Sequence, residues 1–408
     1  MRILMLTNLY PNALQPHRAN YNRQQMRLVA KKMGVSVIAP IAWTDELAAR
    51  AKGHRIGSDR CSVSDGIPVE HPKYWFTPKF GRVQYGRFYY WSVRKTFRRL
   101  VREFAPELIY APWAYPDGWA AVRLGREKGL PVVIKVVGSD FLMLSTHPEK
   151  QHGTLEALRG ADAIVAVSRD LANRMAAHGI DAQKISIVYD GVDTTLFRPG
   201  SKSEARARLG MPDGLPTLLF VGNLVPVKAI DNLIDACALL ANRGLQFHCL
   251  LVGEGPLRHR LEQQARRRGL AERIRFVGPV ANDLLPDWYR AADVLVLPSH
   301  SEGVPNVLLE AAACGTPFVA SRVGGIPEIA HLGVCRLVPP ASPDLLADSV
   351  ASILEGPRDR PAVESARPRS RAESADELIE VFEGVLARHC GQLSPFRSVL
   401  KQEEAPCY

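Results

Sequence analysis

The 408 residues exceed one ordinary hydrophobic core, and at about 100–200 residues per domain the length predicts two domains. Hydrophobic residues at 46% and charged residues at 23% exclude a disordered chain, and no apolar run approaches the roughly 18–20 residues that cross a bilayer. A formal charge of +10 points to anionic partners, while seven scattered cysteines, odd in number and without a C-x-x-C pair, argue against a disulfide framework or a zinc site.

The N-terminus, "MRILMLTNLYPN", reads as a first strand, since no small-residue cleavage site follows it, and an intracellular chain is expected. Short apolar runs then alternate with helical stretches: "RILML", "VSVIAP", "LIYA", "VVIKVV", "AIVAV" and "ISIVY", followed by "TLLFVG", "HCLLVG", "IRFVG", "VLVLP" and "PFVAS". Near-continuous β-rich runs separated by helices predict parallel sheets covered on both faces, a doubly wound α/β architecture formed twice.

Within the first series, residues 85–104, "YGRFYYWSVRKTFRRLVREF", mix Arg94, Lys95, Arg98, Arg99 and Arg102 with Phe88, Tyr89, Tyr90, Trp91, Phe97 and Phe104. Two readings stay open: a helix pinned by a buried aromatic face with a solvated basic face, or an amphipathic helix at the headgroups of an anionic membrane. No nucleic-acid motif accompanies the charge. "APWAYPDGWAA" (111–121) and "VVGSDF" (136–141) also follow strands, and make Asp117 and Asp140 candidates for an acceptor side, although capping a turn is the commoner work of such aspartates.

A Gly- and Pro-marked passage without a strand pattern places a hinge near residues 190–215. Beyond it, "FVGNLVPVKAI" (220–230) runs from strand through loop to helix. Gly222 permits close backbone approach there, and Lys228 either reaches toward a diphosphate or is a helix-start lysine in water. "LLVGEGPLR" (250–258) repeats the strand-then-glycine theme without the third glycine of a dinucleotide fingerprint, which weakens a nicotinamide-dependent oxidoreductase.

The densest stretch is "SHSEGVPNVLLEAAACGTP" (299–317). Strand "VLVLP" ends just before it, a helix is predicted to start near Asn306 and stop at Gly315, and its first N–H groups and dipole form an anion site. Glu302 is expected in the loop facing that site and Glu310 a turn inside the helix, where so small and apolar a face demands a partner or a ligand hydroxyl. In "SRVGGIPE" (321–328), Gly324 and Gly325 are expected to let a loop pass close to a ligand. The polar, Pro-interrupted residues 355–374 predict a flexible connection, and Leu378, Ile379, Phe382 and Val385 a closing amphipathic helix. No D-x-D pair, Walker lysine loop, G-x-S-x-G elbow or H-E-x-x-H is present, so a metal-independent anion site is expected.

"VGNLVPVK", "LLVGEGPLR", "RFVGPV", "DVLVLPS…EGVPNVLLEAAACGTPFVAS" and "GGIPE", with "YPDG" and "GSD" ahead of them, resemble the retaining nucleotide-sugar glycosyltransferases of family 4, and specifically the bacterial cell-surface polysaccharide type. The resemblance implies the GT-B fold, two doubly wound Rossmann-like domains facing across a cleft. The divisions would be an acceptor-side domain at 1–198, a nucleotide-sugar domain at 199–370, and a closing helix and tail at 371–408 packing back toward the first. It implies Glu302, Lys228 and Asp140 as catalytic residues. It implies a donor-binding set of Gly222, Asn223, Lys228, Glu254, Val280, Glu302, Gly303, Val304, Pro305, Asn306, Val307 and Glu310, in which Glu302 touches donor-sugar hydroxyls, Glu310 the ribose, Lys228 the diphosphate and Val280 the base.

The implied donor is a UDP- or GDP-sugar with no further cofactor, the acceptor a glycan or lipid-linked saccharide, and the location the cytoplasm or the inner face of its membrane. Two positions depart from the pattern: Asn223 stands where the family usually has Arg, and Val137 where it tends to have His, which leaves a weakly active or inactive sugar-nucleotide-binding protein as the alternative. Arg322 and His147 are the candidate substitutes.

Overall fold

Each apolar run quoted above becomes a parallel strand, and the central ones are buried because a sheet covered on both faces has no exposed side for polar alternation, while the edge strands from "ISIVY" and "IRFVG" are only partly buried. The computed structural model describes residues 1–16, 18–53, 60–78, 81–142, 144, 148–212, 214–331, 334–356 and 368–391. It divides into two compact units. One holds Met1–Ala166, Ala172–Val188 and a C-terminal stretch from Ala375; the other holds Val167–Leu171 and Tyr189–Ser374.

The first unit contains β1 (Arg2–Leu6), β2 (Gly34–Ile38), β3 (Ile41–Ala42), β4 (Cys61–Ser64), β5 (Ile67–Glu70), β6 (Lys73–Tyr74), β7 (Leu108–Ala111), β8 (Val132–Val136), β9 (Ala163–Ala166) and β10 (Ile185–Ile187). Its main sheet runs β10-β9-β8-β7-β1-β2-β5-β4, with β3 and β6 forming a separate two-stranded ladder. All pairs are parallel except β4 with β5 at the edge. That hairpin turns through Asp65 and Gly66, both at positive φ (52° and 80°), the conformation the Asp-Gly pair favours.

The core of this unit gathers Ile3, Met5, Val37, Leu108, Tyr110, Val133 and Val165. The closing helix Arg371–His389 adds Leu378, Ile379, Phe382 and Val385 to it, all buried, with the Phe382 ring 5.2 Å from that of Tyr110. On helix Tyr85–Glu103, Tyr89, Val93, Phe97 and Leu100 point inward while Trp91 is exposed. Arg94 and Arg98 pair with Glu127, and Arg99 with Glu70 and Glu103. Much of the basic face is thereby neutralised within the fold.

The second unit has β11 (Thr217–Val221), β12 (His248–Val252), β13 (Ile274–Gly278), β14 (Val294–Leu297), β15 (Phe318–Ser321) and β16 (Cys335–Val338), all parallel, in the order β13-β12-β11-β14-β15-β16. Successive strands step one way from β11 and the other way from β14, so the order reverses between these two neighbours, the point where open α/β sheets bind ligands. Leu219, Phe220, Leu250, Leu295, Val296 and Val319 form its core. The 190–215 passage contains helix Lys202–Arg208, capped by Ser201 and tied to the sheet by Arg206 and Asp293 at 3.0 Å. Most of the proposed connection at 355–374 lies outside the described residues, and among those described no helix is long and apolar enough to cross a membrane.

Candidate functional site

The reversal brings the carboxyl ends of β11 and β14 side by side, in register at Leu218 with Val294 and Leu219 with Leu295. From β11 the chain passes Gly222 and Asn223 into the turn Pro226–Lys228, and Ala229 then adopts a left-handed conformation (φ 48°) before helix Ile230–Asn242. From β14 it passes Ser299 and Glu302 into helix Asn306–Ala313. A backbone bond from His300 N–H to Val227 carbonyl, 2.8 Å, ties the two loops. Lys228 Nζ donates to Glu302 Oε1 at 2.6 Å, and Ser299 Oγ donates to the same oxygen at 2.6 Å.

Helix Asn306–Ala313 begins after Pro305 with no side-chain cap, so its first N–H groups and positive dipole end keep their capacity for an anion. Asn306 Oδ1 is buried there without a hydrogen-bond partner among the described residues. The helix ends at Cys314 with Gly315 at φ 78°, as its sequence predicts. Glu310 is buried on the inner face and accepts a 2.7 Å bond from the Tyr289 hydroxyl; burial pushes its carboxyl above the ordinary range. The partner required by a glutamate in that apolar face is therefore a tyrosine 21 residues away.

The glycines act mainly on the chain itself. A Cβ on Gly253 would lie 2.0 Å from the Gly222 carbonyl oxygen, and one on Gly255 2.5 Å from that of Leu224, so the loops after β11 and β12 pack backbone to backbone. Gly324, at φ 55°, would place a Cβ 1.8 Å from the Glu302 carbonyl oxygen, and Gly325 donates its N–H to Gly303 at 2.9 Å. The close approach expected of these two glycines is made to the Glu302 loop. A few residues on, the Glu328 carboxylate accepts the N–H groups of Arg169 and Asp170, both at 2.8 Å, and the Tyr189 hydroxyl at 2.6 Å.

Of the residues singled out from sequence, Gly222, Asn223 and Lys228 share one loop, and Glu302, Gly303, Val304, Pro305, Asn306 and Val307 share the other, with Glu310 beneath. Glu254 follows β12, its carbonyl accepting the Leu224 N–H at 2.8 Å while its side chain stays exposed. Val280, after β13, packs partly buried against the core. Asn223 is exposed and makes no side-chain hydrogen bond among the described residues. Arg322 is exposed after β15 and forms no ion pair with Glu302 among the described residues; His147 lies outside the described residues. Ser299 and Tyr289 were not anticipated. Ser299 carried a signal, a hydroxyl three residues before Glu302, whereas nothing in local spacing links Tyr289 to Glu310.

Asp140 belongs to the first unit. Its Oδ1 accepts Val137 and Gly138 N–H at 3.1 and 3.0 Å and its Oδ2 the Ala114 N–H at 3.2 Å, which is turn-capping work, and burial raises its carboxyl to about 6. Asp117, fully buried and raised to about 7 by that burial, accepts the Thr7 Oγ1 hydroxyl and the Asn8 N–H at 2.9 Å on Oδ2; its Oδ1 has no partner among the described residues. Among the described residues no three His, Cys, Asp or Glu side chains gather as metal ligands.

The family model described as Glycosyl transferases group 1 matches residues 201–371, and that described as Glycosyltransferase Family 4 matches residues 26–196. D-inositol 3-phosphate glycosyltransferase 2 of Catenulispora acidiphila is 37% identical over 59% of this chain and 60% of its own length, so the chain spans about three fifths of that relative. The D-inositol 3-phosphate glycosyltransferase of Nocardiopsis dassonvillei is 34% identical over 66% of this chain and 69% of its own. TuaC of Bacillus subtilis, assigned by name to teichuronic acid biosynthesis, is 29% identical over 86% and 88%.

In three dimensions the chain is similar to sucrose-phosphate synthase from Thermosynechococcus elongatus (TM-score 0.71, 22% identity, 96% and 97% covered). It is also similar to Anabaena HepE crystallised with UDP-glucose (TM-score 0.66, 20% identity, 96% and 100% covered). Two Rossmann-like sheets, one carrying an uncapped helix beside a Lys–Glu pair, and the matches along both halves lead to one assignment: the chain belongs to glycosyltransferase family 4, with the GT-B fold.

Proposed function

We propose that the protein transfers a sugar from a nucleotide-diphosphate sugar to a glycan or lipid-linked acceptor, with retention at the anomeric carbon, in the synthesis of a cell-surface polysaccharide. The observation that carries this reading is Lys228 held at 2.6 Å by Glu302 beside the uncapped start of helix Asn306–Ala313. A diphosphate there would meet one mobile cation and a set of unpaired N–H groups around Asn306 and Val307. HepE's complex with UDP-glucose supports a uridine donor, the name of the teichuronic acid relative supports an acceptor in cell-surface polysaccharide synthesis, and the names of the inositol-phosphate relatives support a hydroxyl-bearing acceptor.

In this reading residues 199–370 hold the donor and residues 1–198 the acceptor side, with residues 371–408 closing the chain onto the first domain. Glu302 receives donor-sugar hydroxyls, Glu310 the ribose, and Val280 with Glu254 line the base and the loop beside it. Gly222 and Asn223 admit the diphosphate, and Asp140 keeps the 114 and 137–138 backbone in place for the acceptor.

The anomeric C1–O bond to the β-phosphate breaks, the acceptor oxygen bonds to C1 on the same face, and the acceptor's proton passes to the departing phosphate. Negative charge grows on that phosphate as C1 becomes oxocarbenium-like. Lys228 and the helix start therefore stabilise the transition state more than the ground state. The test is a panel of UDP-, GDP- and ADP-sugars. One of them should raise the melting temperature and, with acceptor, release nucleotide and give a product of unchanged anomeric configuration by NMR; no shift with any would sink the reading.

A second reading, a sugar-nucleotide-binding protein of low activity, is favoured by one observation: Asn223 is exposed and unbonded where the family usually places a cation. Donor would then bind without acceptor-dependent nucleotide release, and Asn223→Arg should raise turnover.

A further inference from the structure

A second group of chemically able side chains sits at the edge of the first unit's main sheet. Ser62 lies on β4, the outermost strand, and stands opposite Val69 of β5; His71 is two residues beyond Val69 and so on the same face. The Ser62 Oγ lies 2.9 Å from His71 Nε2, and His71 Nδ1 lies 2.9 Å from the Ala39 carbonyl oxygen just after β2. A carbonyl only accepts, so Nδ1 carries the proton and Nε2 of the neutral ring is left as an acceptor. The serine hydroxyl therefore donates to the imidazole. A nucleophile thus rests on a base whose other nitrogen is oriented by a third group.

The base is buried and held, while Ser62 is exposed. Burial keeps the imidazole below the ordinary histidine range, so at neutral pH it is uncharged and free to take a proton. The His71 backbone N–H donates to the Arg60 carbonyl at 2.7 Å, and Arg60 Nη1 donates back to the His71 carbonyl at 3.1 Å. Arg60 is fixed in turn by both oxygens of buried Glu46, at 2.8 and 3.1 Å. Glu46 also pairs with Lys73, and Glu70 with Arg99, so these carboxylates are spent on other cations and leave the imidazole to the serine. Among the described residues no strand flanks β4 on its outer side, where its backbone N–H groups can receive an oxyanion.

We propose that Ser62 is an activated nucleophile and a site of covalent acylation, with His71 as its general base and an activated acyl ester as the co-reactant. Ser62 Oγ bonds to the acyl carbon as its proton passes to His71 Nε2. The carbonyl electron pair moves onto oxygen and returns as the bond to the leaving alkoxide breaks, and His71 hands the proton to that leaving group. The products are an O-acylserine and an alcohol. The proposal does not depend on sugar transfer, since it is read by the rate of acylation at one residue.

The test is acetylation of the full chain by p-nitrophenyl acetate, with the rate at each serine followed by peptide mass spectrometry. Ser64 is the internal control: it lies on the same strand and the same face, and no imidazole bonds to it among the described residues. A positioned general base contributes typically 10²–10⁴-fold, so Ser62 is expected to acetylate about 100-fold faster than Ser64, and His71→Gln to bring it down to the Ser64 rate. Equal rates at the two serines, or an unchanged Ser62 rate in a His71→Gln variant with native circular dichroism, would each overturn it. The comparison of the two serines is made in the unaltered protein and stands whether or not that variant folds.

Discussion

Lys228 and Glu302, 74 positions apart, meet at 2.6 Å, and Ser299 donates to the same glutamate oxygen from the end of β14. The pair is partly shielded, its side chains 21% and 11% exposed, so the attraction is screened less than at an open surface. Without donor the lysine is neutralised by a glutamate of the adjoining loop. A diphosphate must therefore compete with Glu302 for it.

That competition separates two variants. Lys228→Ala should abolish the melting-temperature rise with nucleotide sugar and lower kcat/KM about 10- to 100-fold, the equivalent of one charged hydrogen bond. Glu302→Gln should leave affinity for the free nucleoside diphosphate intact or tighter while turnover falls. Calorimetry with UDP and a nucleotide-release assay read the two effects apart, and parallel losses in both variants would contradict the competition.

Tyr289→Phe should cost about 1–3 kcal/mol in denaturant unfolding, because it removes the tyrosine hydroxyl that donates to the buried Glu310 carboxyl. In Tyr289→Phe/Glu310→Gln the penalty should be smaller than the sum of the two single changes.

Gly324→Ala and Gly315→Ala test different things. Both glycines have positive φ, 55° and 78°, but only at Gly324 would a Cβ meet backbone, 1.8 Å from the Glu302 carbonyl oxygen. Gly315→Ala should cost about 1 kcal/mol. Gly324→Ala should add an overpacking cost of about 1–3 kcal/mol and displace the Glu302 loop, with loss of nucleotide-induced stabilisation.

Asp117 gives a pH dependence of defined sign. Burial lifts its carboxyl from 3.8 to about 7, so the folded chain retains a proton that the unfolded chain gives up. Its stabilising contribution is complete below about pH 4 and is lost as pH rises through about 7. Asp140, raised to about 6 by burial, contributes with the same sign. In Asp117→Asn the fall in stability between pH 5 and pH 8 should shrink, measured by denaturant midpoints at each pH; an unchanged slope would contradict the assignment.

The strand runs were legible because a parallel sheet buried on both faces must be written in continuous apolar residues. Strands outside that condition escaped: β4 and β5 pair at an edge with half their residues exposed, and β16 reads "CRLV" at the far edge of its sheet. The Asp65–Gly66 turn is a local hairpin signal between β4 and β5. The helix start at Asn306 and its end at Gly315 were legible because they follow from local backbone chemistry.

By itself, then, the sequence determined the alternating α/β architecture, the helix aimed from the end of β14, and the identity of the two glutamates and the lysine near it. Those depend on periodicity and on residues adjacent in the chain. Only the tertiary structure decided that Lys228 rests on Glu302, that Glu310 is held by Tyr289, that Gly324 serves the Glu302 loop, and that the arginines of helix Tyr85–Glu103 are largely spent on Glu127 and Glu70. Each of these joins side chains or backbone from separate elements, and the strand order that brings them together is set by packing the whole sheet, which no local window contains.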